Sequence, residues 1–203
     1  MRFFTGRSFA ALACLLALPG IAAIADAQTP GAPPAAPPQA GSTPQPPPPA
    51  DAASIDSIVK AIYDGVSHPP GKDGDWTHLR TIFLPGARLT PPKRPTGEFA
   101  SLSAEEFIDR VSKGIAARSA PGGGGDKGFS EREVARRADC FGNVCQIFST
   151  YEARYTAADP KPFVRGINSI QLVKDGNRWW VANVVWDQEA PDKPIPPAYL
   201  PKG

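Results

Sequence analysis

Glu133 and Glu152 flank a Phe141-Gly142-Asn143-Val144 turn signal. With Gly142 and Asn143 as the central turn residues, the two carboxyls lie opposite each other on a hairpin. Adjacent carboxyls can split their pKa values and work as an acid–base couple. The same register sets Glu131 opposite Arg154, with Arg137 nearby, so the glutamates read as members of a solvated charge ladder on the outer side of a sheet. It also sets Cys140 directly opposite Cys145 beside the turn, at a non-hydrogen-bonded site within disulfide reach. No third ligand stands near the two cysteines, as a zinc site would need. The expectation is a hairpin-tip disulfide and no metal.

A second turn signal, Asp175-Gly176, sets Asn168 opposite Asn183 when those two residues are central. Leu172, Trp179, Ile170 and Val181 share their face, which is the more apolar one and so the expected interior. Amides in an apolar wall must find partners. They bond each other, the plainer reading, or they orient a ligand on a pocket floor. Arg165 falls beside Trp186 on the other face as a cation–π pair. His68 lies in a His-Pro-Pro-Gly loop. His78 follows Trp76 by two residues on a helix, about 200° away, so it faces outward if Trp76 faces the core.

The elements that must carry these side chains are legible. Ser54 caps a helix with Ile55, Ile58, Val59, Ile62, Tyr63 and Val66 at helical spacing. Asp75 caps a second, with Trp76, Leu79, Ile82 and Phe83, which Pro85-Gly86 stops. Ala87 to Thr90 reads as a short strand. Ser103 and Glu106 form a capping box opening a third helix with Phe107, Ile108, Val111 and Ile115. Pro121 to Gly125 is a loop. Four long strands follow: 129–140, 144–155, 164–174 and 178–188. Helices and an antiparallel sheet are segregated, so the class is α+β. Long strands curl, and three N-terminal helices in the concave face of the curved sheet would close a cone.

The ends have a different character. The chain has 203 residues and 25 prolines, about twice the ordinary share. Ten of them fall between Pro30 and Pro49. Residues 1–27 read as a secretory signal, with Arg2 and Arg7 before an apolar stretch and a small-residue cleavage site at Ala25-Asp26-Ala27. Residues 28–52 are a Pro/Ala-rich disordered linker. Residues 53–189 are the folded domain, and 190–203 a proline-rich tail that wraps the surface or frays. The expected location is periplasmic or secreted, with no membrane span after cleavage. Loss of residues 1–27 lowers the formal charge from +2 to +1, which offers nucleic acid no basic face.

The element order, with Asp75-Trp76…Leu79-Arg80…Phe83, Phe129…Glu133, Ser149…Tyr151-Glu152, Arg165 to Leu172 and Arg178-Trp179-Trp180…Trp186-Asp187…Glu189, resembles the nuclear-transport-factor-2-like superfamily. That superfamily includes ketosteroid isomerase, scytalone dehydratase and polyketide cyclases. The closest likeness is to small exported bacterial members of unassigned function. The resemblance implies a cone fold with an internal pocket and a homodimer packed sheet to sheet. It does not imply one activity. Isomerase chemistry needs a carboxylate base on the strand after the second helix, and here that strand runs Ala87-Arg88-Leu89-Thr90-Pro91. Dehydratase-like chemistry wants a His and an Asp with tyrosines around the pocket.

Three functions are compatible with these features. The first is non-catalytic binding of a small apolar molecule, or a structural role, with no cofactor. The second is an isomerase, dehydratase or cyclase acting on such a molecule. The third is a protein-interaction module using the outer sheet face. Tyr63, Trp76, Tyr151, Asn168 and Asn183 are the candidate pocket residues.

Overall fold

The computed structural model describes residues 49–93 and 97–202. The expected signal segment and nearly all of the expected linker lie outside the described residues. The folded domain falls within a single unit of the chain, which begins at Ser42.

Helix α1 spans Ile55–Val66. Ser54 caps it, accepting from the Ser57 amide at 3.0 Å while the Ser57 hydroxyl accepts from the Ser54 amide at 3.0 Å. Ile58, Val59, Ile62 and Tyr63 form its buried face. Helix α2 spans Trp76–Ile82, capped by Asp75. Helix α3 spans Ala104–Ser119 and opens on the expected capping box of Ser103 and Glu106.

The strands are β1 (Phe83–Thr90), β2 (Leu102–Ser103), β3 (Ser130–Phe141), β4 (Val144–Arg154), β5 (Val164–Asp175) and β6 (Arg178–Gln188). They form one sheet in the order β2-β1-β6-β5-β4-β3. Three helices and a curved, unclosed sheet make the α+β cone that was expected.

Two expectations need correction. The sheet is mixed, because β1 runs parallel to β6. These strands are separated by most of the domain, so no hairpin turn dictates an antiparallel pairing. Pro85-Gly86 also lies inside β1 and does not stop α2, which gives way directly to strand at Phe83. The β1–β6 register breaks between Phe83 and Arg88, and a proline without an N–H is tolerated at such a break.

The long hairpins are where sequence counting fails. The first hairpin follows the expected register from Phe141↔Val144 as far as Ala135↔Thr150. A bulge between Glu133 and Ala135 then shifts it, so Glu133 pairs with Tyr151, Arg132 with Glu152 and Glu131 with Ala153. The second hairpin pairs Asp175 with Arg178, two positions away from the expected register, and a further irregularity after Gln171 sets Asn168 opposite Trp186 and Asn183 opposite Gln171. A one-residue slip exchanges the two faces of every later residue.

The core lies between helices and sheet, with Ile58, Leu79, Ile82, Ile147, Ile170, Leu172 and Val181 fully buried. The C-terminal tail wraps and does not fray. Ile195 is buried, and Thr150 on β4 donates to the Tyr199 carbonyl at 2.6 Å. The Tyr199 ring lies 5.6 Å from that of Phe148.

Cys140 and Cys145 are joined as a disulfide, with Cα atoms 4.1 Å apart. The closed loop is short, so removing the bond by Cys140→Ser should cost only about 2 kcal/mol. Alkylation of the natively produced protein should leave Cys140 and Cys145 unmodified until a reductant is added; two reactive thiols at once would contradict the bond.

Candidate functional site

A cavity of about 550 Å³ opens between the helices and the sheet. Ile62, Leu79, Phe83, Leu89, Val184 and Trp186 contribute to a mainly apolar wall. Against that wall stand His68, Asp126, Glu131, Tyr151 and Asn168.

Of the five pocket candidates, Trp76, Tyr151 and Asn168 line the cavity. Tyr63 stands one layer behind, fully covered, with its hydroxyl bonded to Asn168 at 3.1 Å. Asn183 is not part of the cavity. The β6 irregularity turns it to the opposite face, opposite Gln171, and brings Val184 and Trp186 inward in its place. The expected Asn168–Asn183 pair therefore does not exist. Arg165 does not stack on Trp186 either; it makes a two-pronged bond to Glu189 at 2.8 and 2.9 Å. Trp186 meets Phe107 edge-on at 6.1 Å.

The expected charge ladder dissolves for the same reason. Past the β3 bulge, Glu152 stays on the outer side with Arg132 and Arg154. Glu131 and Glu133 turn inward. Glu131 sits in the cavity wall, and among the described residues its carboxyl takes one bond, from the Asn168 amide at 3.3 Å. Ser67 fixes its backbone. The Ser67 hydroxyl accepts from the Glu131 amide at 3.0 Å and donates to the Tyr63 carbonyl at 2.7 Å, tying β3 to the end of α1. Burial pushes the Glu131 carboxyl from its ordinary 4.5 up to about 7, against the opposing bond from Asn168.

Two loops supply the other polar group. His68 is 6% exposed and bridges to Phe129 through two backbone bonds of 2.7 and 2.9 Å. Its Nδ1 lies 3.1 Å from the Pro69 carbonyl and 3.7 Å from Asp126 Oδ2. The Asp126 side chain is almost wholly covered. Burial opposes its charge, yet the Gly71 and Gly128 amides and Arg118 hold its carboxyl below the usual carboxylate range. Gly128 has φ +83, and a Cβ there would lie 2.9 Å from the Tyr155 carbonyl. The loop that places Asp126 thus depends on a glycine at that position.

Tyr151 is placed by a second glycine. A Cβ on Gly166 would fall 2.6 Å from the Tyr151 hydroxyl and 2.2 Å from the Asp187 carbonyl. Burial raises the hydroxyls of Tyr151 and Tyr63 above the usual phenol range, which keeps both as protonated donors. Trp76 Nε1 is buried, with no hydrogen-bond partner among the described residues. His78 is partly exposed and paired with Asp51 at 2.9 Å. Among the described residues, no group of three or more His, Cys, Asp or Glu side chains could hold a metal ion, and no helix is long and apolar enough to cross a membrane.

Sequence reasoning missed His68, Asp126 and Glu131. The first two lie on loops 58 residues apart, and nothing in either loop signals the other. Glu131 was counted to the wrong face because the bulge has no local mark.

Three helices lie on the sheet in the order the sequence resemblance implied. The arrangement is similar to that of solved nuclear-transport-factor-2-like structures. No family model matches the chain, and no curated protein matches it. Solved nuclear-transport-factor-2-like structures do. One, of unknown function, from Shewanella baltica, is 12% identical over 67% of this chain and 91% of its own, with a TM-score of 0.46. Another of unknown function, from Silicibacter pomeroyi, is 15% identical over 68% and 94%, with a TM-score of 0.44. A proposed dehydratase of this fold from Streptomyces avermitilis is 10% identical over 69% and 96%, with a TM-score of 0.48. These likenesses concern the fold alone.

The buried Glu131 carboxyl has a measurable consequence. Between pH 4.5 and about 7 the folded state holds a proton that the unfolded chain has released. Stability therefore falls as pH rises through that window, by up to about 3 kcal/mol. Glu131→Gln should melt at a higher temperature than the parent at pH 8 and within a degree or two of it at pH 5. Parallel melting curves for the two proteins at all pH values would refute the assignment.

Proposed function

We propose that the domain takes up a small, largely apolar molecule carrying one hydrogen-bonding group, and holds that group against Glu131 and His68. The observation that carries this reading is an apolar cavity of about 550 Å³ with a sparsely bonded carboxyl in its wall. That volume falls within the range of small-molecule sites, which are mainly apolar with a few convergent polar groups. The neutral dye N-phenyl-1-naphthylamine should bind the parent, and Val111→Trp, which fills the cavity from α3, should weaken binding at least tenfold. Equal binding by a folded variant would sink the reading.

One observation favours a catalytic version. The Pro69 carbonyl, 3.1 Å from Nδ1, orients the His68 ring as an acid or base, and the Asp126 carboxylate stands 3.7 Å away as its charged neighbour. With Tyr151 nearby, this is the group set that dehydratase-like chemistry wants. Glu131, with a pKa of about 7, is suited to exchange protons near neutrality. The protein should then speed deuterium uptake by an enolisable ketone such as cyclohexanone, and Glu131→Gln should lower that rate about 100-fold. A rate equal to the buffer background would leave binding as the only function.

We also propose that residues 1–27 are a cleaved export signal and that 28–52 tether the domain. The Cys140–Cys145 disulfide supports an oxidising compartment. Pairing of two copies would use the outer face of β5 and β6, which carries Ile167, Val173, Trp180 and the exposed Val185.

A further inference from the structure

We infer that the Glu133–Arg136 ion pair acts through Ser149, Tyr63 and Asn168 to decide which end of the Asn168 amide meets Glu131. The inference rests on the reading that Glu131 holds the ligand's polar group. It makes Glu133, Ser149 and Tyr63 positioning residues.

The chain of bonds is continuous. Arg136 grips Glu133 with bonds of 2.6 to 3.0 Å and reaches Asp56 on α1 with its other nitrogen. Glu133 takes a short bond from the Ser149 hydroxyl. Ser149 and Tyr63 share a bond of 2.6 Å. The Asn168 nitrogen lies 3.1 Å from the Tyr63 hydroxyl and 3.3 Å from Glu131 Oε1. Ser149, Tyr63 and Asn168 are 0%, 3% and 6% exposed, so bulk water does not compete for these bonds.

Proton direction follows from valence. A carboxylate held by a guanidinium is an acceptor only. Ser149 must donate to it, which leaves a Ser149 lone pair to take the Tyr63 proton. Tyr63 then has only a lone pair for Asn168, so the amide must present N–H there. Its second N–H goes to Glu131. The Glu131 Oε1 atom is thereby an acceptor within the protein, and Oε2 is left for the cavity. An ion pair across the β3 bulge thus sets the polarity of a carboxyl two residues before it.

Without the anchor the order can reverse. If Tyr63 loses its acceptor, its hydroxyl can donate to the Asn168 carbonyl, and the amide turns its oxygen to Glu131. Glu131 then gains by holding its own proton. The other titratable or charged groups around the cavity are Tyr63 on α1, Arg118 on α3, Tyr151 on β4, and His68, Asp126, Lys127 and Tyr155 on the flanking loops; none of them is substituted in the variants below.

The test is a carboxyl-carbon NMR titration of Glu131 in the full domain, with the amide spectrum as the check of folding. Ser149→Ala should raise the Glu131 midpoint by about one pH unit, although it changes no charge. Glu133→Leu, which removes the acceptor along with the charge, should raise it too. Simple loss of a nearby negative charge would lower it, so the direction separates the two causes. An unchanged or lowered midpoint in either folded variant overturns the inference. A raised midpoint upholds it even if Val111→Trp leaves dye binding intact, in which case the ligand reading alone falls.

Discussion

One residue more on β3 than on β4 decides what this domain can do. Between Glu133 and Ala135 the ladder slips by a single position. Without the slip, both glutamates would keep company with arginines on a wet face. With it, Glu131 enters an apolar wall and Glu133 meets Ser149 beneath the sheet. Burying a carboxyl is costly unless it is bonded or neutral. Glu133 is compensated by Arg136, whereas Glu131 is left nearly bare and answers by holding its proton. Two positions apart on β3, the chain therefore carries one ion-paired carboxyl and one nearly bare one, linked through three bonded side chains.

The rest of the site is arranged around that acid by parts that do not bond its carboxyl. Ser67 ties the end of α1 to β3 and sets the height of Glu131. Gly128 and Gly166 admit backbone and ring approaches that any side chain would block, and so place Asp126 and Tyr151. The wide apolar lining from α2, β1, α3 and β6 supplies volume without competing donors. Each polar group faces the cavity because a neighbouring strand or loop has its own hydrogen bonds met elsewhere.

The outer side of the sheet is divided. The tail covers β3 and β4, with Tyr199 seated between Phe148 and Arg137. The outer face of β5 and β6 mixes Ile167, Val173, Trp180 and the exposed Val185 with Ser169, Gln171 and Asn183. A proline-rich tail suits this role, because it needs no ladder partner and loses little freedom on docking.

Local chemistry was readable from the sequence wherever an interaction is short-range. The caps at Ser54, Asp75 and Ser103, the helix faces, the two turns and the Cys140–Cys145 contact all depend on residues within a few positions of one another. Burial periodicity likewise pointed to Trp76, Tyr151 and Asn168. The side of the sheet on which Glu131, Asn183 and Trp186 lie could not be read, because it depends on parity, and parity is lost at a bulge that has no local signal. The pairing of His68 with Asp126 could not be read either, since it joins two loops through Gly71 and Gly128 backbone amides that only the folded chain brings together. The amino-acid sequence alone determined the elements and the α+β class, because hydrogen-bonding and hydrophobic periodicity act over a few residues; only the tertiary structure decided which acids face the cavity, because a single inserted residue moves side chains far along the strand to the other face.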